Sequence, residues 1–326
     1  MTVVNGVEID CINYKLNTLK LAISNNDPIE EKLNVILVIS NPCLYTRRYI
    51  LLNEFVKRIE NEEENVELYI VEMIYPGQKF AVTRKNNKHH LQLRTNIPIW
   101  HKENMINLGT TLLPPNWKAF AWIDADIEFE STTWALDALK VLNGTYDVIQ
   151  LFSHAVDMDH DKTTLNIFQS FGYSFAKHKK IGKKGLDYFH PGYAWAITRR
   201  AYEKIGGLYD KGILGSGDSI MAMSFINKVD KMNNISYHPD YNNSMLEFQD
   251  KSKNLRLGYV HGVIRHYFHG SKKNRQYTER WELLKKNQYS PKDLTYDNGI
   301  LIPTENFTKE FQDDILNYFK ERKEDD

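Results

Sequence analysis

LNVILVIS, residues 33–40, is an unbroken apolar run rich in β-branched side chains. Such a run suits a strand buried on both faces, as in a parallel sheet covered by helices. The chain on either side of the next few turns repeats the theme. RRYILLNEFVKRIENEEE (47–64) carries Ile50, Leu51, Phe55 and Ile59 at helical spacing, and VELYIVEMIY (66–75) is a second strand. WHKENMINLGTTLLP (100–114) predicts a helix stopped by Gly109, Pro114 and Pro115, and KAFAWID (118–124) a third strand. STTWALDALKVLNG (131–144) opens on Ser131 as N-cap and stops at Gly144, before a fourth strand, YDVIQLF (146–152). This β-α-β-α order predicts an α/β fold, an open sheet flanked by helices in a single domain. Ligands of such sheets bind beyond the carboxyl ends of the strands.

The later half is less regular. It has a Gly-rich stretch (182–217), a short helix near 217–228, then mixed strands, with further helices near 277–287 and 307–322. The closing KERKEDD reads as a frayed, solvated helix end. The 326 residues suffice for a sizeable core. Lys plus Arg and Asp plus Glu both number 42, so no positive excess supports nucleic-acid binding. Cys11 and Cys43 make neither a disulfide framework nor a zinc site and fit a reducing compartment. The opening MTVVNGVEIDCINYKLN lacks the pattern of a signal peptide and no run of about 18 apolar residues occurs, so neither an export signal nor a transmembrane segment is expected. The 19 Tyr, 15 Phe and 6 Trp can fill a core and also serve as platforms for sugars and bases.

Four motifs carry chemistry. Asp124 and Asp126 end the third strand, where two carboxylates one residue apart can reach one small region and hold Mg²⁺ or Mn²⁺. Burying carboxylates at a strand end carries a desolvation cost that a cation offsets. Glu128 and Glu130 follow and are expected to face solvent. VHGVIRHYFHGSKKNRQYTER (260–280) brings His261, His266 and His269 just ahead of Lys272, Lys273 and Arg275. Imidazole favours Mn²⁺ or Zn²⁺, and the cations can neutralise phosphates. HPGYAWAITRRAYEKIGGLYDKGILGSGDSIMAMSFI (190–226) places Asp218 at a helix start near Tyr188, Tyr193 and Trp195. That carboxylate is either an N-cap or a general base on an acceptor hydroxyl beside an aromatic pocket. SHAVDMDHD (153–161), with His154, Asp157, Asp159 and His160, reads mostly as a polar loop.

Together these motifs resemble the nucleotide-sugar-dependent glycosyltransferases of the GT-A fold, nearest the β-1,4-galactosyltransferase catalytic domain and similar to polypeptide N-acetylgalactosaminyltransferases. Five motifs match in order over roughly residues 34–285. In VISNPCLYTRR the resemblance implies that Asn41, Pro42, Arg47 and Arg48 hold the nucleoside. In KENMINLG it implies that Lys102 and Asn107, with Gly109, line the donor site. Asp124, Asp126 and, from VIRHYFHGSKKN, His266 would bind the metal, with Asp124 also near the ribose. His261 and His269 stay open as replacements for His266. Lys272, Lys273 and Arg275 would face the diphosphate, and Asp218 of ILGSGDS would be the base of an inverting transfer. Tyr193 and Trp195 would bind the acceptor. The family's Trp-Gly-Trp-Gly and acidic run is reduced here to Gly-Ser-Gly-Asp.

The resemblance implies an open mixed, Rossmann-like sheet spanning 31–290, an N-terminal extension (1–30) and a helical tail (291–326) packed on it. It implies Mn²⁺ or Mg²⁺ as cofactor, a UDP-sugar donor, and a glycan or other hydroxyl acceptor. Without an export signal or anchor, the expected source is bacterial or viral and the expected location the cytoplasm, the host's if viral. A phosphotransferase built on Asp-x-Asp fits less well, because Glu128 stands where such enzymes carry Thr or Val. The alternative from another class is a catalytically inactive carbohydrate- or nucleotide-binding module. The presence of Asp124, Asp126, Asp218 and His266 together argues against lost catalysis.

Overall fold

The computed structural model describes residues 2–4, 7–9, 26–177, 189–271, 274 and 279–326. Strands β1 (Thr2–Val4) and β2 (Val7–Ile9) pair as an antiparallel hairpin. Then come β3 (Leu33–Ser40), helix α1 (Thr46–Glu62), β4 (Val66–Ile74) and β5 (His90–Arg94), the three strands parallel. Helix α2 (Lys102–Gly109) leads to β6 (Ala119–Ile123), which joins β3 in parallel on its other side. β7 (Ile127–Phe129), α3 (Trp134–Leu142), β8 (Val148–Gln150), β9 (His154–Met158), β10 (Thr164–Ser170) and α4 (Phe171–Ala176) follow. Next are β11 (Phe189–His190), β12 (Ala194–Thr198), α5 (Arg199–Ile205), α6 (Gly217–Phe225) and α7 (Pro239–Ser252). The chain continues with β13 (Leu257–Tyr259), β14 (Val263–His266), α8 (Glu279–Lys286), the hairpin β15 (Leu294–Asp297) and β16 (Ile300–Pro303), and α9 (Lys309–Glu321).

The seven-stranded main sheet runs β13-β8-β12-β6-β3-β4-β5 and is mixed, because β12 is antiparallel to both neighbours. A five-stranded sheet runs β11-β10-β9-β14-β7. The expected α/β class, an open mixed sheet flanked by helices in one domain, is the one the chain adopts. Strand alternation explains the layering. Val35, Leu37 and Ile39 of β3 face a core with Leu52, Phe55 and Ile59 of α1, whereas Ile36 faces the opposite core with Met105 and Ile106 of α2. On the first face β6 and β12 show only Ala119, Ala121, Ile123, Ala194 and Ala196, and α3 lays Ala135 and Ala138 into the same core. On the other face they show Phe120, Trp122, Trp195 and Ile197, which share a core with residues of α6 and α7.

Several expectations are corrected. The residues after 228 hold the helix α7 before any strand. Its N-terminus is set by Pro239 and by the His238 side chain, which accepts a hydrogen bond from Asp240 N. Ser131 is not the cap of α3; Thr133 holds that position. SHAVDMDHD is not mainly loop, since 154–158 form β9 in the second sheet. The segment 291–326 holds a hairpin as well as α9, and its end is not frayed: Arg322 and Glu324 are buried. Gly109 does not stop the helical path, which runs on through it into a 3-10 turn at Thr110–Leu112. A Cβ on Gly109 would lie 2.8 Å from Ile36 Cγ2 and 3.0 Å from Val71 Cγ2, so its absence lets α2 sit tight on the sheet. Among the described residues no helix is long and apolar enough to cross a membrane.

Candidate active site

The chain leaves the main sheet at Ile123 and enters the second sheet at Ile127. Asp124, Ala125 and Asp126 are that crossover. The backbone anchors it at both ends: Asp124 N donates to Tyr193 O (2.7 Å), and Tyr267 N donates to Asp126 O (2.8 Å). Beside it lies a cavity of about 250 Å³, walled by this turn, the starts of α1, α2 and α6, the His190–Tyr193 loop, the His266–His269 segment and the end of α9.

Asp126, His266 and His269 form one cluster, their ligand atoms all within 4.8 Å of one another. Asp126 Oδ2 is 3.7 Å from His266 Nε2 and 3.2 Å from His269 Nε2. The second sheet's register produces half of this. β14 lies between β7 and β9, which sets His266 opposite Ile127 on one side and Asp157 on the other. His266 Nδ1 is 2.6 Å from Asp157 Oδ1, and His269 Nδ1 is 3.1 Å from the Tyr267 carbonyl. A carbonyl or carboxylate acceptor at Nδ1 fixes the tautomer with its lone pair on Nε2, the arrangement of a metal-ligating imidazole. One carboxylate and two such imidazoles fit a divalent cation of Mn²⁺ or Zn²⁺ type. His269 thus joins His266 rather than replacing it, while His261 sits apart, beside the Tyr259 hydroxyl.

Asp124 stands outside this cluster. Its carboxylate is ion-paired with Lys102 at the start of α2. Burial and the neighbouring Asp126 raise its pKa, and Lys102 opposes them. Burial works against the Lys102 charge, but Asp124 and Glu103 more than offset it, so the ammonium is held. The expected metal-binding pair therefore divides: Asp126 faces the imidazoles and Asp124 holds the lysine.

Asp218 lines the cavity from the first turn of α6. It is not the N-cap, a position Ser216 holds; Ser219 N donates to its Oδ1 (2.7 Å). Gly192 lets the backbone approach it closely, since a Cβ there would lie 2.9 Å from Asp218 Oδ2 and 2.8 Å from His190 Cε1. Buried Gln150 fixes this loop by donating to the carbonyls of His190 (2.8 Å) and Gly192 (3.0 Å). Tyr193 lines the cavity with φ 76°, its ring stacked on His190 at 4.2 Å.

Other expected site residues serve the fold. Trp195 is buried against Trp122 and donates from Nε1 to Pro191 O, on the far face of β12 from Tyr193. Asn107 ties α2 to the loop after α5 through Leu208 N (2.8 Å) and Leu208 O (3.0 Å). Asn41 closes the turn before α1 on both the N–H and the carbonyl of Tyr45. Arg47 reaches Phe268 O (3.0 Å). Pro42 and Arg48 do line the cavity, but the Arg48 guanidinium is engaged by both oxygens of Glu324. Lys272, Lys273, Arg275 and Tyr188 lie outside the described residues, as does Cys11.

The sequence reading missed Glu103, Asp157 as a partner of His266, and the Arg322–Glu324 pair. Glu103 is buried in the cavity wall; burial, aided by the Asp218 charge and opposed by Lys102, pushes its pKa up to about 8. The signal for Asp157 was present, since it stands two residues from Ala155 and so shares that residue's buried face of β9.

No protein-family description and no curated protein matches this chain. Among solved structures, a Drosophila beta-1,4-galactosyltransferase 7 mutant in complex with manganese, UDP-Gal and xylobiose is similar over 81% of this chain and 85% of its own, at 8% identity and a TM-score of 0.39. A Desulfovibrio desulfuricans protein provisionally named a nucleotide-diphospho-sugar transferase is similar over 79% of this chain and 96% of its own, at 10% identity and a TM-score of 0.32. Likeness at these scores carries no argument about activity, which rests on the chemistry of the site.

Proposed function

We propose that this chain is a metal-dependent glycosyltransferase that moves a sugar from a nucleoside-diphosphate donor to an acceptor hydroxyl. The observation that carries the reading is the Asp126–His266–His269 donor set, with both imidazoles backed at Nδ1, in one cavity with Asp218. These three side chains would hold the cation, Mn²⁺ in first place. When bound, a divalent cation there supplies charge neutralisation for a departing diphosphate. Asp218 accepts the proton of the acceptor hydroxyl as its oxygen bonds to the anomeric carbon, and the bond from that carbon to the diphosphate oxygen breaks. Attack opposite the leaving group inverts the anomeric centre. The Lys102–Asp124 pair holds the crossover in place beside the reacting groups. The family resemblance favours UDP and implies that Lys272, Lys273 and Arg275 face the diphosphate.

The test is nucleoside-diphosphate release from a panel of nucleotide sugars with Mn²⁺, with and without EDTA, in wild type, Asp126→Ala and Asp218→Asn. We expect release from one UDP-sugar, abolished by EDTA and by Asp126→Ala. Asp218→Asn should lower kcat by about 10²–10⁴-fold while leaving metal binding intact. Absence of release from every donor, with no metal-dependent thermal shift by UDP, would move the binding-module reading to the front.

A further inference from the structure

Ser216 is costly to the fold in two independent ways. Its backbone sits at φ 73°, in the left-handed region that strains any side-chain-bearing residue. Glycine tolerates that conformation freely, and glycines stand on both sides, at 215 and 217. Ser216 also occupies the N-cap position of α6, where a serine hydroxyl ordinarily accepts from the first turn, yet it makes no side-chain cap bond. The hydroxyl has no hydrogen-bond partner among the described residues although the residue is only 5% exposed. It lines the cavity. Strain and an unsatisfied buried polar group persist together where a ligand uses them.

The neighbours say which kind of ligand. The Glu103 carboxyl packs against Gly217, where a Cβ would lie 2.5 Å from its Oε1. At Gly215 a Cβ would lie 3.0 Å from Arg280 Nη1 and 3.6 Å from the Trp100 ring, both of which line the cavity. Asp218 follows two residues on. A hydroxyl, a carboxyl and a guanidinium beside an indole match a sugar ring, with its hydroxyls as donors and acceptors and its apolar C–H face.

We propose that Ser216 is a specificity residue that contacts substrate directly, binding with Glu103 one hydroxyl of a sugar ring held beside Asp218. The inference rests on the sugar-transfer reading above and deepens it. That ring belongs either to the donor or to the acceptor, and the two sources separate by experiment.

Ser216→Ala removes the hydroxyl, and Ser216→Gly removes it and the strain. Two kinetic arms are measured with UDP-sugar and Mn²⁺: donor hydrolysis without acceptor, and transfer to methyl pyranosides. A rise in KM of about fivefold or more in hydrolysis assigns the hydroxyl to the donor sugar; the same rise confined to acceptor KM assigns it to the acceptor. Both variants should show it, and Ser216→Gly should also unfold at a higher temperature than wild type. Unchanged KM in both arms overturns the proposal while leaving the transferase reading intact. Should wild type turn over no nucleotide sugar, saturation-transfer NMR with methyl pyranosides decides. Binding lost in both variants upholds the subsite without the transferase, whereas equal or absent binding in wild type and variants overturns it.

Discussion

His266 and His269 present the same Nε2 edge to Asp126 but are held by different partners. His269 leans on a backbone carbonyl, which no substitution removes, and His266 on the Asp157 carboxylate. Asp157 is therefore the side chain through which the site can be loosened without touching a ligand. Asp157→Asn should weaken Mn²⁺ binding by about 10–100-fold, read by isothermal titration; unchanged affinity would show that strand register alone orients the ring. Glu103 gives a second prediction, in stability. Its pKa is raised from 4.5 to about 8, with burial the main cause. Between those values the folded state binds a proton that the unfolded chain does not, so stability falls as pH rises through that window. Glu103→Gln has no proton to lose. Relative to wild type it should gain stability from pH 5 to pH 8, on the order of a few kcal/mol, in denaturant titrations at both values. A difference that stays constant with pH would mean that the carboxyl ionises freely.

Helix α1 begins without a cap of its own, since Tyr45 makes no side-chain cap bond. Its first amides are instead bound by Asp325, which accepts from Thr46 N (3.0 Å) and Arg47 N (2.8 Å). Next to it Glu324 receives Arg48 and Arg322, and Gly270, at φ 87°, leaves room for the strand of chain to pass: a Cβ there would lie 3.0 Å from Glu324 Cα. Burial alone would raise the Glu324 pKa, but the two guanidiniums drive it far below the carboxylate range. Its contribution is thus fully present above the ordinary carboxylate pKa and is lost as pH falls towards the depressed value. Glu324→Gln should flatten the acid limb of the stability curve, and Asp325→Ala should cost about 1 kcal/mol at neutral pH. These residues also show where sequence reading stops. The strands β3, β4 and β6 and helices α1 and α2 were legible because their side chains repeat with the period of the element. KERKEDD was not, because charged residues look solvated unless their partners, Arg48 and the α1 amides, are known to be adjacent. Asp126 and the three histidines of 261–269 drew attention by residue type, and the structure sets two of those histidines, His266 and His269, beside Asp126. Asn107 entered through the family resemblance and Trp195 as an aromatic near Asp218, yet the face of the element each occupies turns it into the fold.

At the scale of the whole molecule, the candidate metal ligands bridge the two sheets, which the backbone joins at 124–126 and again by short connections at 151–153, 191–193 and 260–262. Asp126 lies in the crossover from the main sheet, His266 on β14 of the second sheet, and His269 in the segment beyond it. A cation held by all three ties the crossover to the second sheet, so its binding energy becomes folding energy of the entire domain. At a Mn²⁺ concentration about 100 times Kd, the linkage amounts to about 2.7 kcal/mol. Both sheets share the core around β6 and β14, with Ile127 and Ile264 buried among the α1 and α3 side chains. The stabilisation should therefore appear as one cooperative transition moved to higher temperature, not as a new phase. The check is thermal unfolding of wild type and Asp126→Ala in Mn²⁺ and in EDTA. We expect a shift of a few degrees in wild type alone, titrating with metal concentration. An equal shift in Asp126→Ala would place the cation elsewhere and detach the two imidazoles from the chemistry argued for this cavity.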